Sequence, residues 1–122
     1  MATIKILQEI LERLDKAVKN KNVIIIVKNR PTNDLINTLE NSGHILVIKR
    51  DRDNIVIKPA PTTEAFKKIA PEQVKIKKML TVATANLPSI TGSLLVYTRR
   101  GVLDHNEAIT HQQGGLVFGW CY

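Results

Sequence analysis

The chain has 122 residues, of which 43% are hydrophobic, 24% charged and 4% aromatic, a composition typical of a small globular protein and unlike that of a disordered one. Eighteen Lys and Arg residues against eleven Asp and Glu residues give a net charge of +7, which favours a polyanionic partner, with nucleic acid as the leading candidate. A single cysteine, Cys121, excludes an internal disulfide framework and a multi-cysteine metal site. The longest apolar run, residues 23 to 27, is of strand length and far shorter than the roughly 20 residues of a membrane helix.

The first two predicted elements are a helix and a strand. Apolar residues recur at helical spacing over residues 4 to 19, which predicts an amphipathic helix with one buried face. The β-branched stretch 22 to 29 is apolar in successive positions, which predicts a strand covered on both faces. Arg30 and Pro31 are expected to end this strand.

A second helix and a hairpin are predicted next. Thr32 or Asn33 is expected to cap the helix, and Gly43 is placed to close it in a left-handed conformation. Residues 44 to 49 and 54 to 58 then predict two strands joined by a short charged turn.

Proline and threonine concentrate at residues 59 to 63, which predicts a boundary between two small subdomains, residues 1–60 and residues 61–122. Residues 64 to 70 fit helix and strand equally well by propensity. Residues 74 to 78 alternate apolar side chains with lysine, which predicts a half-buried strand.

A strand at residues 93 to 98 and a capped helix are predicted for the C-terminal part. Asp104 and Glu107 have the spacing of a capping box, in which each side chain accepts a hydrogen bond from the backbone of the other. Gly114 and Gly115 are expected to end the helix by adopting positive φ, and a terminal strand follows. The predicted fold class is therefore α+β, with an N-terminal α-β-α-β-β subdomain and a C-terminal subdomain that is mostly β with one short helix.

Arg99 and Arg100 follow the strand at 93 to 98 and precede Gly101, at a turn where side chains project and a ligand can approach the backbone. One interpretation is contact with phosphate groups. The other is a pair of solvated surface charges, which contribute little to stability. Charge alone favours neither interpretation.

The C-terminal motif resembles a known family. The order G-V-L-D-H-N-E-A, five further residues, G-G and a final G-W-C-Y is similar to the C-terminus of the S-eight family of small-subunit ribosomal proteins. The D-H-x-E-A form is closest to the archaeal, eukaryotic and plant mitochondrial branch, and R-P-T-N and S-G-H-I stand at corresponding places of the N-terminal half. The resemblance implies direct binding of small-subunit ribosomal RNA at a helical junction of the central domain, early in assembly, in the service of translation and without catalysis.

The resemblance and the basic residues together predict an RNA-binding surface that joins the start of the second helix, the arginine turn and the glycine pair. Its expected residues are Lys28, Arg30, Thr32, Asn33, Tyr97, Thr98, Arg99, Arg100, Gly101, Gly114 and Gly115. The family usually carries Ser-Thr-Ser where this chain has Tyr97, Thr98 and Arg99, so we expect fewer contacts to bases and more to phosphates. No contact is assigned to the first helix, because Asp15 would repel RNA.

The expected partners are small-subunit ribosomal RNA and neighbouring small-subunit ribosomal proteins, with no membrane and no small-molecule substrate. Divergence at the Ser-Thr-Ser position favours a mitochondrial ribosome over a cytosolic one. Because the first helix carries several acids and no secretory apolar region precedes it, any targeting sequence is expected to be missing from this chain.

Two other functions are considered. An enzyme would draw on Asp104, His105, Glu107 and His111, but the two histidines are six residues apart, on roughly opposite helix faces, and capping accounts for the two acids. We therefore predict no catalytic residue, no metal site and no cofactor, and we expect His44, which follows a glycine at a helix end, to be a surface residue or one that complements the helix dipole. A regulatory protein of the same fold that binds RNA or DNA outside the ribosome stays open.

Overall fold

The computed structural model describes residues 2–89 and 91–122. The elements in chain order are α1 (Ala2–Asn20), β1 (Ile24–Val27), α2 (Arg30–Asn41), β2 (Ile45–Arg50), β3 (Asn54–Pro59), β4 (Phe66–Val74), a 3-10 turn (Ile76–Lys78), α3 (Met79–Asn86), β5 (Ser93–Thr98), β6 (Gly101–Asp104), α4 (His105–Thr110) and β7 (Gly115–Cys121). The fold class is α+β, as predicted.

The strands form two antiparallel sheets. The first sheet has the order β1-β3-β2, and the second has the order β4-β7-β5-β6. Residues 60–65 lead from the last strand of the first sheet to the first strand of the second, which is where the proline-rich stretch lies. The division into two subdomains at this point stays a prediction.

One hydrophobic cluster joins the two sheets. Leu7, Leu11 and Leu14 of α1 are fully buried, and they share this cluster with Ile26 of the first sheet and Phe118 of the second. Helix α1 contacts strands of both sheets, and α2 contacts β2 and β6. The two halves therefore bury apolar surface against each other, which units of about 60 residues need in order to be stable.

Ion pairs hold the polar side of α1 against β4. Glu12 pairs with Lys68, and Asp15 pairs with Lys67 and with Lys19. Asp15 also accepts a hydrogen bond from the backbone nitrogen of Phe66 at 3.1 Å. Among the described residues, no helix combines the length and apolar character that crossing a bilayer requires.

In the second half, three segments differ from the sequence-based expectations, and a fourth, which the sequence left ambiguous, is now assigned. Residues 74 to 78 are not a strand, since β4 ends at Val74 and a 3-10 turn follows and leads into α3. The ambiguous stretch 64 to 70 becomes the start of β4, an edge strand of the second sheet. Strand β6 and helix α3 were not predicted at all.

Within residues 2–89 and 91–122, the first sheet is covered on one face only. The side chain of Ile26 in β1 is 2% exposed, but those of its neighbours Ile25 and Val27 are 56% and 70% exposed. Helices α1 and α2 pack on the inner face. The prediction that this strand is covered on both faces is therefore wrong.

Buried polar groups connect the two halves. The hydroxyl of Thr38 donates to the carbonyl oxygen of Val102 at 2.7 Å, and Nε2 of His44 lies 3.0 Å from Oγ of Ser93. The expectation of a surface position for His44 is wrong, since its side chain is 5% exposed. Burial lowers the pKa of His44, which favours the neutral imidazole.

Candidate nucleic-acid interface

The arginine turn is a tight hairpin between β5 and β6. Thr98 pairs with Gly101 across the two strands, so Arg99 and Arg100 are the two turn residues, and both are exposed. Oγ1 of Thr98 accepts a hydrogen bond from the backbone nitrogen of Arg100 at 3.0 Å and donates to the carbonyl oxygen of Gly101 at 2.9 Å. The side chain of Thr98 therefore fixes the backbone from which the two guanidinium groups project.

Gly101 satisfies two requirements of this turn. Its φ is +97°, as expected for a glycine in a turn, and a Cβ at this position would lie 2.5 Å from Oδ2 of Asp34 in α2. The close approach brings the turn against the first residues of α2.

The structure brings Arg30 together with the turn. Arg30 and Pro31, at the start of α2, line one wall of a cleft whose other wall is formed by residues 97–101, and Asp34 also lines it. We call this the first cleft. Its volume is about 220 Å³, below the range of about 300–1,000 Å³ that small-molecule pockets occupy. This concavity is small and is lined by three arginines. It therefore suits one part of a larger anionic ligand.

The cap of α2 differs from the prediction. The N-cap is Asn29, whose Oδ1 accepts from the backbone nitrogen of Thr32 at 3.0 Å, so neither Thr32 nor Asn33 caps the helix. Arg30 and Pro31 form the first turn of α2 and do not end β1, which stops at Val27. Proline fits this first turn because the missing N–H would have no helical partner there.

The remaining predicted residues near this cap lie outside the first cleft. Thr32 is buried, and its hydroxyl donates to the carbonyl oxygen of Val27 at 3.0 Å. Asn33 accepts a long hydrogen bond of 3.4 Å from Arg50, and Lys28 is exposed ahead of the cap. The hydroxyl of Thr32 thus has a structural partner, whereas Lys28 projects into solvent.

Gly114 and Gly115 serve close packing and do not adopt positive φ, so the predicted reason for them is wrong. Gln112 takes the left-handed conformation after α4, with φ of 53°. A Cβ on Gly114 would lie 2.8 Å from the carbonyl oxygen of Val74, and one on Gly115 would lie 2.5 Å from that of Tyr97. Both glycines allow the backbone of β7 and the loop before it to approach neighbouring segments.

A second cleft begins where the first ends. It is lined by residues 73–77, by Arg99 and by residues 112–114, so Arg99 borders both clefts. Lys75 and Lys77 therefore join the arginines on one surface, although the alternation of residues 74 to 78 predicts a strand and no binding role for these lysines. The repeated lysines at 75, 77 and 78 were the sequence signal that pointed to this region.

We refer to Arg30, Lys75, Lys77, Arg99 and Arg100 as the basic surface. All five side chains are exposed. In the described part of the chain, the ion pairs are made by other cations, namely Lys19, Lys49, Arg50, Lys67 and Lys68. The basic surface thus presents charges that no carboxylate within 4.0 Å neutralises, which favours binding of an anion.

The side chains of Asp104, His105 and Glu107 at the start of α4 are occupied by structural hydrogen bonds. The predicted capping box is confirmed, since Oδ1 of Asp104 accepts from the backbone nitrogen of Glu107 at 2.8 Å. Nδ1 of His105 accepts from the backbone nitrogen of Leu94 at 3.1 Å, and burial lowers the pKa of His105. Burial likewise raises the pKa of Glu107.

Metal-binding groups and the single thiol are the remaining candidates for chemistry in the described residues. No group of three or more His, Cys, Asp or Glu side chains there could hold a metal ion. Cys121 is fully buried, and burial raises its pKa far above the usual range, which keeps the thiol protonated.

Comparison of the chain with protein-family models and with curated proteins gave no match.

Proposed function

We propose that the protein is a structural constituent of the small ribosomal subunit that binds small-subunit ribosomal RNA directly and supports its assembly, with no catalytic role. The observation that carries this proposal is the first cleft, where a hairpin bearing Arg99 and Arg100 meets the start of α2 at Arg30. The net charge of +7 and the family resemblance of the C-terminal motif support it.

The contacts are expected to be mainly to phosphates. Arginine offers a planar pair of donors that fits two phosphate oxygens, whereas the serines usual in the family form short hydrogen bonds to sugars and bases. Tyr97 and Arg99 hold the places of those serines. We place the protein in a mitochondrial ribosome because of this divergence, and fractionation of mitochondrial and cytosolic subunits with an antibody to the chain tests that location.

The first test measures binding to a transcript of the helical junction in the central domain of small-subunit ribosomal RNA. The double variant Arg99→Ala with Arg100→Ala should bind about 10- to 100-fold more weakly, because each lost charge-assisted contact costs roughly 1.5–3 kcal/mol when it is fully formed and less when it is exposed. The thermal midpoint should stay close to that of the parent, since both side chains are exposed.

A matched control removes the same charge elsewhere. Lys5→Ala with Lys16→Ala takes two exposed lysines from one side of α1, and neither lies in an ion pair within residues 2–89 and 91–122. This control should bind nearly as tightly as the parent. Equal losses in the two double variants would mean that only net charge matters and would remove Arg99 and Arg100 from a defined site.

Salt dependence provides a second readout. If the five cations of the basic surface each neutralise one phosphate, the slope of log affinity against log salt should be roughly −3.5 to −4.5, and the arginine double variant should reduce its magnitude by about 1.4–1.8. A slope near zero would contradict RNA binding. Co-sedimentation with small subunits in high salt then distinguishes a ribosomal constituent from a free regulatory RNA- or DNA-binding protein, which would be lost from the particle.

A further inference from the structure

The outer face of the first sheet is an open apolar surface. Val23, Ile25 and Val27 alternate along β1 and its approach, with side chains 53%, 56% and 70% exposed. Leu46 and Ile48 of β2 are 44% and 51% exposed. With the half-buried Val56 of β3 between the two strands, these six residues form what we call the outer face.

Strand register shows that the outer face is continuous. Val56 in the central strand pairs with Ile25 on one side and with Lys49 on the other. The register shifts between Val47 and Lys49, so Ile48 is a bulge residue of β2 that has no partner in β3. Monomeric proteins seldom leave a contiguous aliphatic surface of this kind uncovered unless a partner binds it.

The charges around the outer face are mostly positive. Lys49 pairs with Val56 and Lys58 pairs with Leu46 across the strands. Because paired residues lie on the same side of a sheet, both lysines lie on the side of the outer face. Lys28 lies at the hairpin end, where its backbone nitrogen donates to the carbonyl oxygen of Asp53 at 2.8 Å. Arg52 lies in the same turn, and Asp51 is already paired with Lys49 at 3.6 Å. The surroundings therefore carry four cations against two acids.

We propose that the outer face docks an amphipathic helix of another protein, with an aliphatic stripe flanked by Asp and Glu residues. An amphipathic helix packed on the outer face would bury its aliphatic residues there, as α1 and α2 already bury theirs against the inner face of the same sheet. The cationic rim complements acidic flanks and disfavours a second copy of this chain, whose own rim carries the same charge.

Two other binding modes fit the outer face less well. Addition of a strand at β1 is hindered because Nη2 of Arg13 donates to the carbonyl oxygen of Ile25 at 2.9 Å, which occupies part of the free edge. Single-stranded RNA binds through aromatic side chains on which bases stack, and the outer face consists of aliphatic residues. The basic surface and the outer face thus differ in chemistry as well as in residues.

The test uses the full chain and a designed helical peptide of about 18 residues, roughly five turns, with leucine along one stripe and glutamate on the flanks. Titration followed by backbone amide NMR should shift the signals of β1, β2 and β3. A peptide with lysine in place of glutamate should bind at least about tenfold more weakly, because the rim repels it.

Variants of the protein then separate the outer face from general hydrophobicity. Ile25→Thr with Ile48→Thr keeps β-branched residues in exposed strand positions and should weaken binding of the acidic peptide about tenfold or more. The matched control, Ile6→Thr with Leu80→Thr, changes two apolar residues of the helices that are 45% and 61% exposed, and it should leave peptide binding unchanged. Neither double variant should alter affinity for the ribosomal RNA transcript, so this proposal and the proposed function fail independently.

Five results would overturn the proposal. The acidic peptide could shift amides elsewhere, or the lysine peptide could bind as tightly. Sedimentation could reveal a dimer that the Ile25 and Ile48 variant abolishes, which would make a second copy the occupant. The parent protein could bind phosphatidylcholine–phosphatidylserine vesicles and the same variant could fail to bind them. Alternatively, the RNA transcript could protect the outer-face amides from hydrogen exchange. Either result would assign the outer face to a different partner.

Discussion

At the residue scale, Gly101 is the position where a single methyl group should matter most. Replacement by alanine forces a side chain into φ of +97° and places its Cβ 2.5 Å from Oδ2 of Asp34. We expect Gly101→Ala to lower the free energy of unfolding by about 1–2 kcal/mol from backbone strain alone, with a further loss from the contact. Urea denaturation followed by circular dichroism measures the total.

Gly43 supplies the control for that experiment. It has φ of +80°, and a Cβ there would meet nothing within 4 Å, so Gly43→Ala reports backbone strain without a clash. The difference between the two alanine variants is the cost of displacing Asp34, and adding Asp34→Ala to Gly101→Ala should recover part of it. If Gly43→Ala and Gly101→Ala lower the free energy of unfolding equally, the close approach of Asp34 does not contribute to the cost at Gly101.

The glycines also show which structural features can be predicted from residue type and which cannot. Positive φ at Gly43 and Gly101 follows from a helix end and a tight turn, both of which are local and visible in the sequence. Gly114 and Gly115 are needed because distant strands approach them, at Val74 and at Tyr97. Such contacts depend on the assembled sheet, and local sequence gives no account of them.

At the scale of elements, the two capping boxes should differ in strength. Asn29 is exposed and accepts one backbone hydrogen bond, so Asn29→Ala should cost about 1 kcal/mol. Asp104 is 8% exposed, caps α4 and also accepts from the hydroxyl of Ser42 at 2.8 Å. Asp104→Ala should therefore cost about 2 kcal/mol, since it removes both the cap and the contact to Ser42, whose hydroxyl can then donate only to the carbonyl oxygen of Thr38 at 2.8 Å. Chemical denaturation of the two variants compares these costs.

The contribution of Ser42 can be isolated. In a Ser42→Ala background, Asp104→Ala should lose only its capping energy and fall close to the cost of Asn29→Ala. If Asp104→Ala costs the same with and without Ser42, the hydrogen bond between the two halves does not contribute, and capping alone explains the residue.

Elements with a local sequence signal could be predicted, and elements defined by contacts with distant residues could not. Helix α4 was predicted because its capping box lies within four residues of sequence. Strand β6 was missed because it has four residues and is defined by its pairing with β5. Residues 74 to 78 alternate like a strand, yet Lys75 is the last extended residue before the 3-10 turn, and the alternation cannot register that change. Helix α3 buries only Met79 and Ala83, so it carries no clear apolar stripe.

At the scale of the whole molecule, the clefts and the outer face come from tertiary arrangement. The sequence predicted Arg30 and the arginine turn as one surface because the family resemblance linked them, and the structure brings them to one cleft. Lys75 and Lys77 join them only through the path of the chain before α3. The open side of the first sheet was equally hidden, since β1 is apolar in successive positions, a pattern typical of a strand covered on both faces.

Two buried histidines should make stability depend on pH: His44, whose ring contacts Ser93 in the second sheet, and His105 at the start of α4. Burial lowers the pKa of both His44 and His105, with the nearby Asp104 opposing the effect. Because the unfolded chain has the ordinary histidine pKa of 6.5, it binds protons more readily than the folded protein as pH falls below that value. The free energy of unfolding should thus be greatest above about pH 7 and should decrease towards pH 5.5.

His105 should dominate this loss, because a proton on Nδ1 would eliminate the hydrogen bond that Leu94 donates, whereas hydroxyl groups of Ser93 and Thr63 beside His44 can reorient. Glu107, whose pKa is raised by burial, acts in the opposite sense at lower pH, near and above its ordinary value of 4.5. Urea unfolding at pH 7.5, 6.5 and 5.5 measures the dependence, and a His44→Asn with His105→Asn variant should be less stable but flatter across that window. Stability that rises on acidification, or an unchanged pH dependence in the variant, would contradict neutral His44 and His105 in the folded protein.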